Sequence, residues 1–509
     1  MFVNTDSIFE KNIQSDICIV GAGAAGITLA LEMAKHKINI VLIESGDFEV
    51  DKKTQSLYEG FNIGKDYSLT ETRARFLGGT TNWWGGMCHP LHEVDFEPKE
   101  YCPNYDGWPI QRSELDEYYK KAHHYLDLDD DDYDYSIDKC REYSKINKKG
   151  FLEGSENIEG QMFMMSRGPT NYRSKFSEKL SKSDNITVFT NLNVINISTL
   201  EGSVNYVEAV MGGGGRVVKF KSANFVIAMG GIETPRLLLN SNNEYKDGIG
   251  NKNDLVGRFF MEHPHSECAE LHLNPDVIMD DFLDTGTWVP NKISKYPEAM
   301  WPLYSINKKE IKQRKILNAS FTTIRPDTKD SYNQFSDNSV TVEVTKLMKK
   351  LFNSVNDNNL VNKVAIMART EQAPNPNSRI TLSKERDFLG QRKVVLNWEL
   401  LKIDIDTIFK SLYVVNNELI KKKIGRIKLN SDNEFNIFGG HHHMGTTKMH
   451  NNEKLGVVDS NLKLHELNNL YVASSSVFPT SGFANPTLTI VALSIRLSEY
   501  LLRNKYAKA

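Results

Sequence analysis

Near the C-terminal end three histidines stand in a row, in Gly439-Gly440-His441-His442-His443-Met444-Gly445-Thr446. Imidazole can ligate a metal or move a proton near neutral pH. Consecutive side chains of an extended segment point to alternate faces, so the three cannot converge on one ion, and no metal is expected. Proton transfer remains, beside a purely structural histidine cluster. Further along, Asn485-Pro486-Thr487 opens an apolar stretch, and proline suits the first position of a helix. At the other end of the chain, Gly21-Ala22-Gly23-Ala24-Ala25-Gly26 has the spacing of a turn that cradles a pyrophosphate. Gly21 allows the tight turn, Gly23 the close approach of backbone to phosphate, and Gly26 the packing of helix on strand.

The flanking elements agree with that turn. Ile17 to Val20 is an apolar run of the kind found in a buried parallel strand, and Ile27 to Lys35 is helix-like. A second apolar run, Ile38 to Ile43, ends at Glu44, at the distance where an acid hydrogen-bonds a ribose hydroxyl. The helix N-terminus would face the pyrophosphate with its free N–H groups and positive dipole end. Glu44 argues against a 2′-phosphate and hence against NADP, leaving NAD and FAD. A second constellation follows in Arg73-Ala74-Arg75-Phe76-Leu77-Gly78-Gly79-Thr80-Thr81-Asn82-Trp83-Trp84-Gly85-Gly86-Met87. Two glycine pairs bracket hydrogen-bonding and apolar side chains, a combination suited to a flat ligand.

With these residues in view, the chain resembles the glucose-methanol-choline (GMC) oxidoreductases, FAD enzymes that oxidise alcohols. The likeness covers roughly residues 13–110, 186–265 and 430–505. Phe225 to Asn240 matches the strand and turn that pack under the dinucleotide in that family, which favours FAD over NAD. The resemblance implies FAD contacts at Gly21, Gly23, Ala24, Ala25, Gly26 and Glu44. In the second constellation it implies Arg75, Gly79, Thr80, Asn82, Trp84, Gly85, Gly86 and Met87. Later in the chain it adds Val194, Ala228, Gly230, Ser474, Asn485, Pro486 and Thr487. Some relatives carry a covalent flavin on a histidine where this chain has Trp83, so the resemblance implies non-covalent FAD, with His89 the nearby residue able to form a link. The family's signature histidine stands three positions before a Gly-Thr glycine, which selects His442, and its partner before the proline is Asn485. The implied mechanism has His442 as general base taking the hydroxyl proton while hydride passes from carbinol carbon to flavin N5.

Length and composition set the surroundings. A chain of 509 residues implies more than one domain. We expect an α/β plus α+β architecture: an FAD-binding, Rossmann-like domain from 1–270 and 430–509, and an antiparallel-sheet, substrate-binding domain from 271–429. Alternating segments at Val340 to Val344, Lys363 to Glu371, Ser378 to Leu382 and Lys393 to Trp398 read as strands of the second domain, and Asp404 to Lys422 as a helix. Gly212 to Gly215 lead into a strand and read as a hairpin turn. Ser113 is expected to cap a short helix, and the acidic run Asp127 to Asp134 to be a solvated loop rather than a calcium site. His263 and His265 lack a third metal ligand.

A net charge of −3 gives no reason to expect nucleic acid or an anionic membrane. There is no 18-residue apolar run or signal-peptide core, and the five scattered cysteines fit reduced thiols, so a cytoplasmic protein is expected. Its partners would be a small-molecule alcohol, sugar-like, polyol or aminoglycoside-type, and oxygen or another electron acceptor. Two other functions share the pattern: an FAD-containing lyase of the cyanohydrin-cleaving type, and a flavin-binding protein without turnover.

Overall fold

The computed structural model describes residues 1–3, 12–128, 135–138, 149–166, 168–212, 214–278, 282–283, 289–290, 298–324, 363–429 and 436–506. The strand expected at Val340 to Val344 lies outside them, as does most of the acidic run from Asp127 to Asp134.

The first sheet is built on the two apolar runs around the glycine turn. Asn12–Val20 lies parallel to Ile40–Ile43 on one side and to Val217–Ile227 on the other. Ile40–Ile43 continues in parallel to Ile186–Phe189, and that strand to Phe2–Val3. All four residues of Ile40–Ile43 are buried, because helices cover the sheet and leave neither face to water. Past Val217–Ile227 the direction reverses into antiparallel Ser203–Met211, the two strands connected across the expected glycine turn, and then into Leu192–Leu200. Leu470–Val472 adds a parallel strand beside the end of Val217–Ile227. Helix Ala24–Met33 packs against the C-terminal helix Thr487–Tyr506, whose Leu488, Val491, Leu493, Ile495 and Leu497 are buried in the same core.

The second sheet is mainly antiparallel. Its order runs Val289–Pro290, Glu298–Ile306, Ala319–Ile324, Lys363–Thr370, Pro264–Leu273, Gly425–Leu429. Ile158–Ser166 pairs with Glu298–Ile306, and Ile437–Gly439 with the start of Pro264–Leu273. Helix Lys402–Lys421 covers one face, burying Ile408, Leu412, Val415 and Leu419 against Phe321, Ile366 and Leu271. Strand membership therefore crosses the expected boundary at residue 270: Ile158–Ser166 and Pro264–Leu273 lie in the second sheet. A third, three-stranded sheet joins Arg379–Arg386, Arg392–Asn397 and Gly60–Asn62. It packs Ile380, Val394, Leu396 and Trp398 against Ile232 and Phe260.

One cap differs from expectation. The helix Asp116–Tyr125 is preceded by a 3₁₀ turn, Arg112–Leu115, and it is Gln111 that caps this turn, its N–H donating to Glu114 Oε1 at 2.8 Å. Ser113 sits inside the turn, since the glutamate three residues after Gln111 closes the reciprocal cap. No described helix is long and apolar enough to cross a membrane.

Candidate active site

The cavity begins at the glycine turn. Gly21 has φ +104°, and a Cβ there would stand 2.5 Å from the Ala228 carbonyl oxygen; one at Gly26 would stand 1.9 Å from Gly21 O. Gly26 is thus a packing residue of the turn and not part of the cavity wall. Helix Ala24–Met33 has Gly23 as its N-cap and no side-chain cap, so its first N–H groups are left for a ligand. Gly21, Gly23, Ala24, Ala25 and Glu44 line the cavity. Glu44 also braces the turn, its Oε2 accepting from Ala22 N–H at 2.9 Å and its Oε1 from Gly46 N–H at 3.0 Å.

Beside this end lies a buried ionic cluster that sequence reasoning did not find. Glu233 binds Arg73 at 2.8 Å, Arg75 at 3.1 Å and Arg236 at 3.2 Å, and Arg236 also binds Asp387 at 2.7 Å. Burial opposes the Glu233 charge, but Arg236, Arg73 and Arg75 outweigh it and hold the carboxyl down at about 2. The guanidinium groups of Arg73 and Arg75 stack over Tyr58, 3.9 and 4.8 Å from the ring centre. Arg75 Nε is buried without a hydrogen-bond partner, and Arg75 lines the cavity. An unsatisfied buried donor there suits an anionic, hydrogen-bond-accepting ligand.

The Gly78 to Met87 segment lies against the turn. Gly78 N–H donates to Ala22 O at 2.8 Å, and a Cβ on Gly79 would come within 3.0 Å of Gly23 Cα. Gly79, Thr80, Trp83, Trp84 and Gly85 face the cavity, and Trp84 is anchored by its indole N–H on Thr170 O at 2.9 Å. Three expected contacts fall behind this wall. Asn82 turns its amide back to cap the carbonyls of Leu77 and Gly79, at 2.9 and 2.7 Å. Gly86 is packed on Pro169, and Met87 joins Phe163, Leu303 and Phe483 in a separate apolar cluster. His89 is buried away from the cavity wall, its Nδ1–H donating to Pro90 O at 2.7 Å. Val194, Ala228, Gly230, Ser474, Asn485, Pro486 and Thr487 all line the cavity, as do Glu233, Ser475 and Ile490.

The histidines also line the cavity, and their rings diverge. His441 has φ +63° and sets its ring edge-on to Tyr67. His443 Nε2 lies 2.5 Å from the Tyr67 hydroxyl and 3.7 Å from Glu262 Oε1. His442 turns the other way, with Nδ1 2.9 Å from His263 Nδ1. Its backbone N–H donates to Glu262 Oε2 at 2.9 Å. Burial lowers every one of these imidazoles, His263 and His441 to about 4, so they are neutral at neutral pH. Burial also pushes Glu262 up to about 7, against the hydrogen bonds it accepts. His442 and Asn485 open on the same cavity as the glycine turn, and the C-terminal helix presents its N-terminal residues Pro486, Thr487 and Ile490 to it. A neutral imidazole, an amide donor and a helix dipole lining one cavity can take up a proton and stabilise negative charge.

Of this constellation, Glu262, Tyr67 and the pairing of His263 with His442 escaped sequence reasoning. The adjacent Met261-Glu262-His263-Pro264-His265 was visible only as two spare imidazoles. The Arg73-x-Arg75 and Glu233-x-x-Arg236 spacings were the one readable sign of the ionic cluster.

Two family models match: a pyridine nucleotide-disulphide oxidoreductase model over residues 15–275, and a GMC oxidoreductase model over residues 374–494. Among curated proteins, the fructose dehydrogenase large subunit of Gluconobacter japonicus is 28% identical over 288 residues, 55% of this chain and 47% of that protein. The 2-methyl-1,2-propanediol dehydrogenase of Mycolicibacterium austroafricanum is 26% identical over the same share of each. The chain therefore matches about half the length of these two relatives. The 6'''-hydroxyparomomycin C oxidase of Streptomyces lividus is 22% identical, with 95% of this chain and 90% of that protein aligned. Among solved structures, pyridoxine 4-oxidase from Mesorbium loti superposes with a TM-score of 0.57 at 15% identity, covering 96% of this chain and 99% of that one. A formate oxidase gives 0.59 at 16% identity, covering 98% and 100%. These likenesses establish the shared fold. The unsatisfied Arg75 donor, the uncapped helix start and the bare glycine wall fit a dinucleotide. The chain belongs to the GMC oxidoreductase family, and its cofactor is FAD.

Proposed function

We propose that the protein oxidises an alcohol to the aldehyde or ketone, with His442 as general base and Asn485 as its partner. The observation that carries the proposal is the meeting of His442, Asn485 and the C-terminal helix start in the cavity that begins at the glycine turn. FAD, held non-covalently, supplies the hydride acceptor. The neutral His442 ring takes the hydroxyl proton, while the Asn485 amide can donate to the oxygen as it gains charge. The helix dipole favours negative charge in the cavity at its N-terminus. Trp83 at the cavity wall, and His89 packed away from it, favour the non-covalent mode.

A polyhydroxy substrate, sugar-like or aminoglycoside-type, would suit a hydrogen-bonding face of the second sheet. His265 pairs across the second sheet with Arg369, and Arg369 with Ser320, so the three share one face; Arg369 donates to Thr322 at 2.6 Å. The His265 ring stands 6.2 Å from that of His442, which brings this hydrogen-bonding face toward the reacting end. The named relatives act on fructose, a diol and an aminoglycoside, which agrees. Buried thiols at Cys18, Cys88, Cys102 and Cys268, outside any disulfide, suit the reducing cytoplasm.

The test is anaerobic mixing of the FAD-loaded protein with sugars, amino sugars, polyols and aliphatic alcohols, following the flavin's visible absorption. Bleaching by one class establishes alcohol oxidation and names the substrate class. Admitting air then separates oxygen from other acceptors. A protein that holds FAD but is bleached by no alcohol overturns the proposal, and release of a carbonyl product without bleaching replaces it with the lyase.

A further inference from the structure

We infer that His263 is a positioning residue that sets the tautomer of His442 and thereby decides which of its ring nitrogens is basic. The inference rests on the alcohol-oxidising function proposed above for its catalytic consequence, but the tautomer itself follows from hydrogen-bond geometry.

The backbone makes the two rings neighbours. Met261 and Met444 form a two-bond antiparallel bridge, each N–H donating to the other's carbonyl at 3.0 Å. Counting outward from that bridge sets Glu262 opposite His443 and His263 opposite His442. Glu262 accepts from the His442 backbone N–H, which holds the main chain but leaves the ring free to choose its partner. The ring's partner is His263, with Nδ1 to Nδ1 at 2.9 Å and the two planes inclined by 68°.

The proton positions then follow by elimination. His263 Nε2 lies 3.2 Å from the Ser481 carbonyl oxygen, which can only accept, so Nε2 carries the His263 proton. A neutral imidazole carries one ring proton, and His263 Nδ1 is therefore bare. Two bare nitrogens do not approach to hydrogen-bond distance, so His442 carries its own proton on Nδ1 and donates it to His263. His442 Nε2 is left with its lone pair, and it is the atom that takes the substrate's proton. A doubly protonated His263 would reverse the argument. Burial prevents it, holding His263 at about 4 against the backbone hydrogen bonds at Ser481 and Gly482 that favour its charge. The acid beside these rings, Glu262, makes its contacts with main-chain N–H groups, Tyr67 and His443.

In serine hydrolases a buried carboxylate orients the catalytic imidazole. Here a neutral imidazole does so, itself fixed by a backbone carbonyl. When the substrate O–H bond breaks, its proton goes to His442 Nε2, and the Nδ1–H bond to His263 persists in the imidazolium. The electron pair of the C–H bond leaves as hydride to the cofactor, so nothing passes on to His263.

The test uses the FAD-loaded protein with ¹⁵N-labelled histidine, the His442 signal being identified by its loss in His442→Ala. His263→Phe keeps a ring but has no acceptor, whereas His263→Asn offers an amide oxygen near the position of Nδ1. We expect an Nδ1–H tautomer for His442 in the wild type and in His263→Asn, and a mixture in His263→Phe. Flavin reduction in His263→Phe should fall about 10²-fold at saturating alcohol with little change in KM, and His263→Asn should recover most of it. The pH dependence of that rate should change in His263→Phe and not in His263→Asn. An Nε2–H signal for His442 in the wild type overturns the inference, and this reading needs no variant to fold. So does a His263→Phe protein with unchanged signal, rate and pH profile. If no alcohol reduces the flavin but the tautomer pattern holds, the function proposed above fails while the assignment to His263 stands.

Discussion

The Tyr67 hydroxyl lies 2.5 Å from Glu262 Oε1 and 2.5 Å from His443 Nε2, so one phenol joins a fully buried acid to the imidazole next to the proposed base. The hydroxyl donates to the carboxylate and accepts from His443, which makes His443 an Nε2–H tautomer. Glu262 ionises near 4.5 in an unfolded chain and near 7 in the folded protein. Between these values the folded state holds the extra proton, so stability falls as pH rises through that window, and the loss is complete above it. The span corresponds to about 3 kcal/mol. Glu262→Gln has no such proton to lose. Its melting temperature relative to the wild type should therefore rise between pH 4.5 and 7. A difference that stays flat across this range would show that Glu262 is not protonated in the folded protein at the lower pH.

Gly23 and Gly26 are three residues apart and should respond oppositely to one added methyl. At Gly26 the methyl would stand 1.9 Å from Gly21 O, a backbone atom that cannot yield without opening the turn. Gly26→Ala should lower the melting temperature of the apoprotein and yield colourless protein. At Gly23 the nearest protein atom would be 4.0 Å away, on Gly79. Gly23→Ala should melt like the wild type as apoprotein yet bind FAD more weakly, because what the methyl meets is the ligand. Equilibrium titration of each apoprotein with FAD, beside its melting curve, checks both outcomes.

These two glycines also show what could be read without coordinates. The turn, its helix and Glu44 lie within thirty residues, so periodicity and spacing carry the whole unit. His442 and Asn485 came from family resemblance; the residues alone left three histidines equivalent. What escaped depends on long-range packing. Glu233 meets Arg73 across 160 positions and His263 meets His442 across 179, and no local pattern encodes either pairing. Asn82, Gly86 and Met87 are a different case. They lie in an irregular stretch, where side chains turn without fixed period: the Asn82 and Met87 side chains turn from the cavity wall, and Gly86 packs on Pro169. Ile158–Ser166 joined the distant sheet because its partner, Glu298–Ile306, lies far along the chain.

Removing the charge of Glu233 should cost more than any single surface ion pair. Glu233→Gln leaves Arg73, Arg75 and Arg236 buried, with Asp387 paired to Arg236 and Glu44 nearby as the remaining counter-charges. The expected loss is about 3–5 kcal/mol at neutral pH, typical of a broken buried network. Glu233 is held at about 2 when folded, so its stabilising effect is present above pH 4.5 and is lost as pH falls toward 2. The gap in melting temperature between variant and wild type should narrow on acidification through that range, the reverse of the trend at Glu262. A gap independent of pH would assign the loss to packing instead.

His442→Ala is the direct trial of the proposed base. The ring is no part of the glycine turn, and the main chain at 442 is held independently by its N–H bond to Glu262. FAD binding and the fold should therefore survive. The rate of flavin reduction at saturating alcohol should fall by about 10²–10⁴-fold, the usual range for loss of a general base. His443→Ala serves as the comparison, because its ring faces Tyr67 and Glu262 on the opposite side. If His443 only buttresses the site, its removal should lower stability more than the reduction rate. Near-normal reduction in His442→Ala together with collapse in His443→Ala would transfer the role of base to His443, and would make the Tyr67–Glu262 pair the group that orients it.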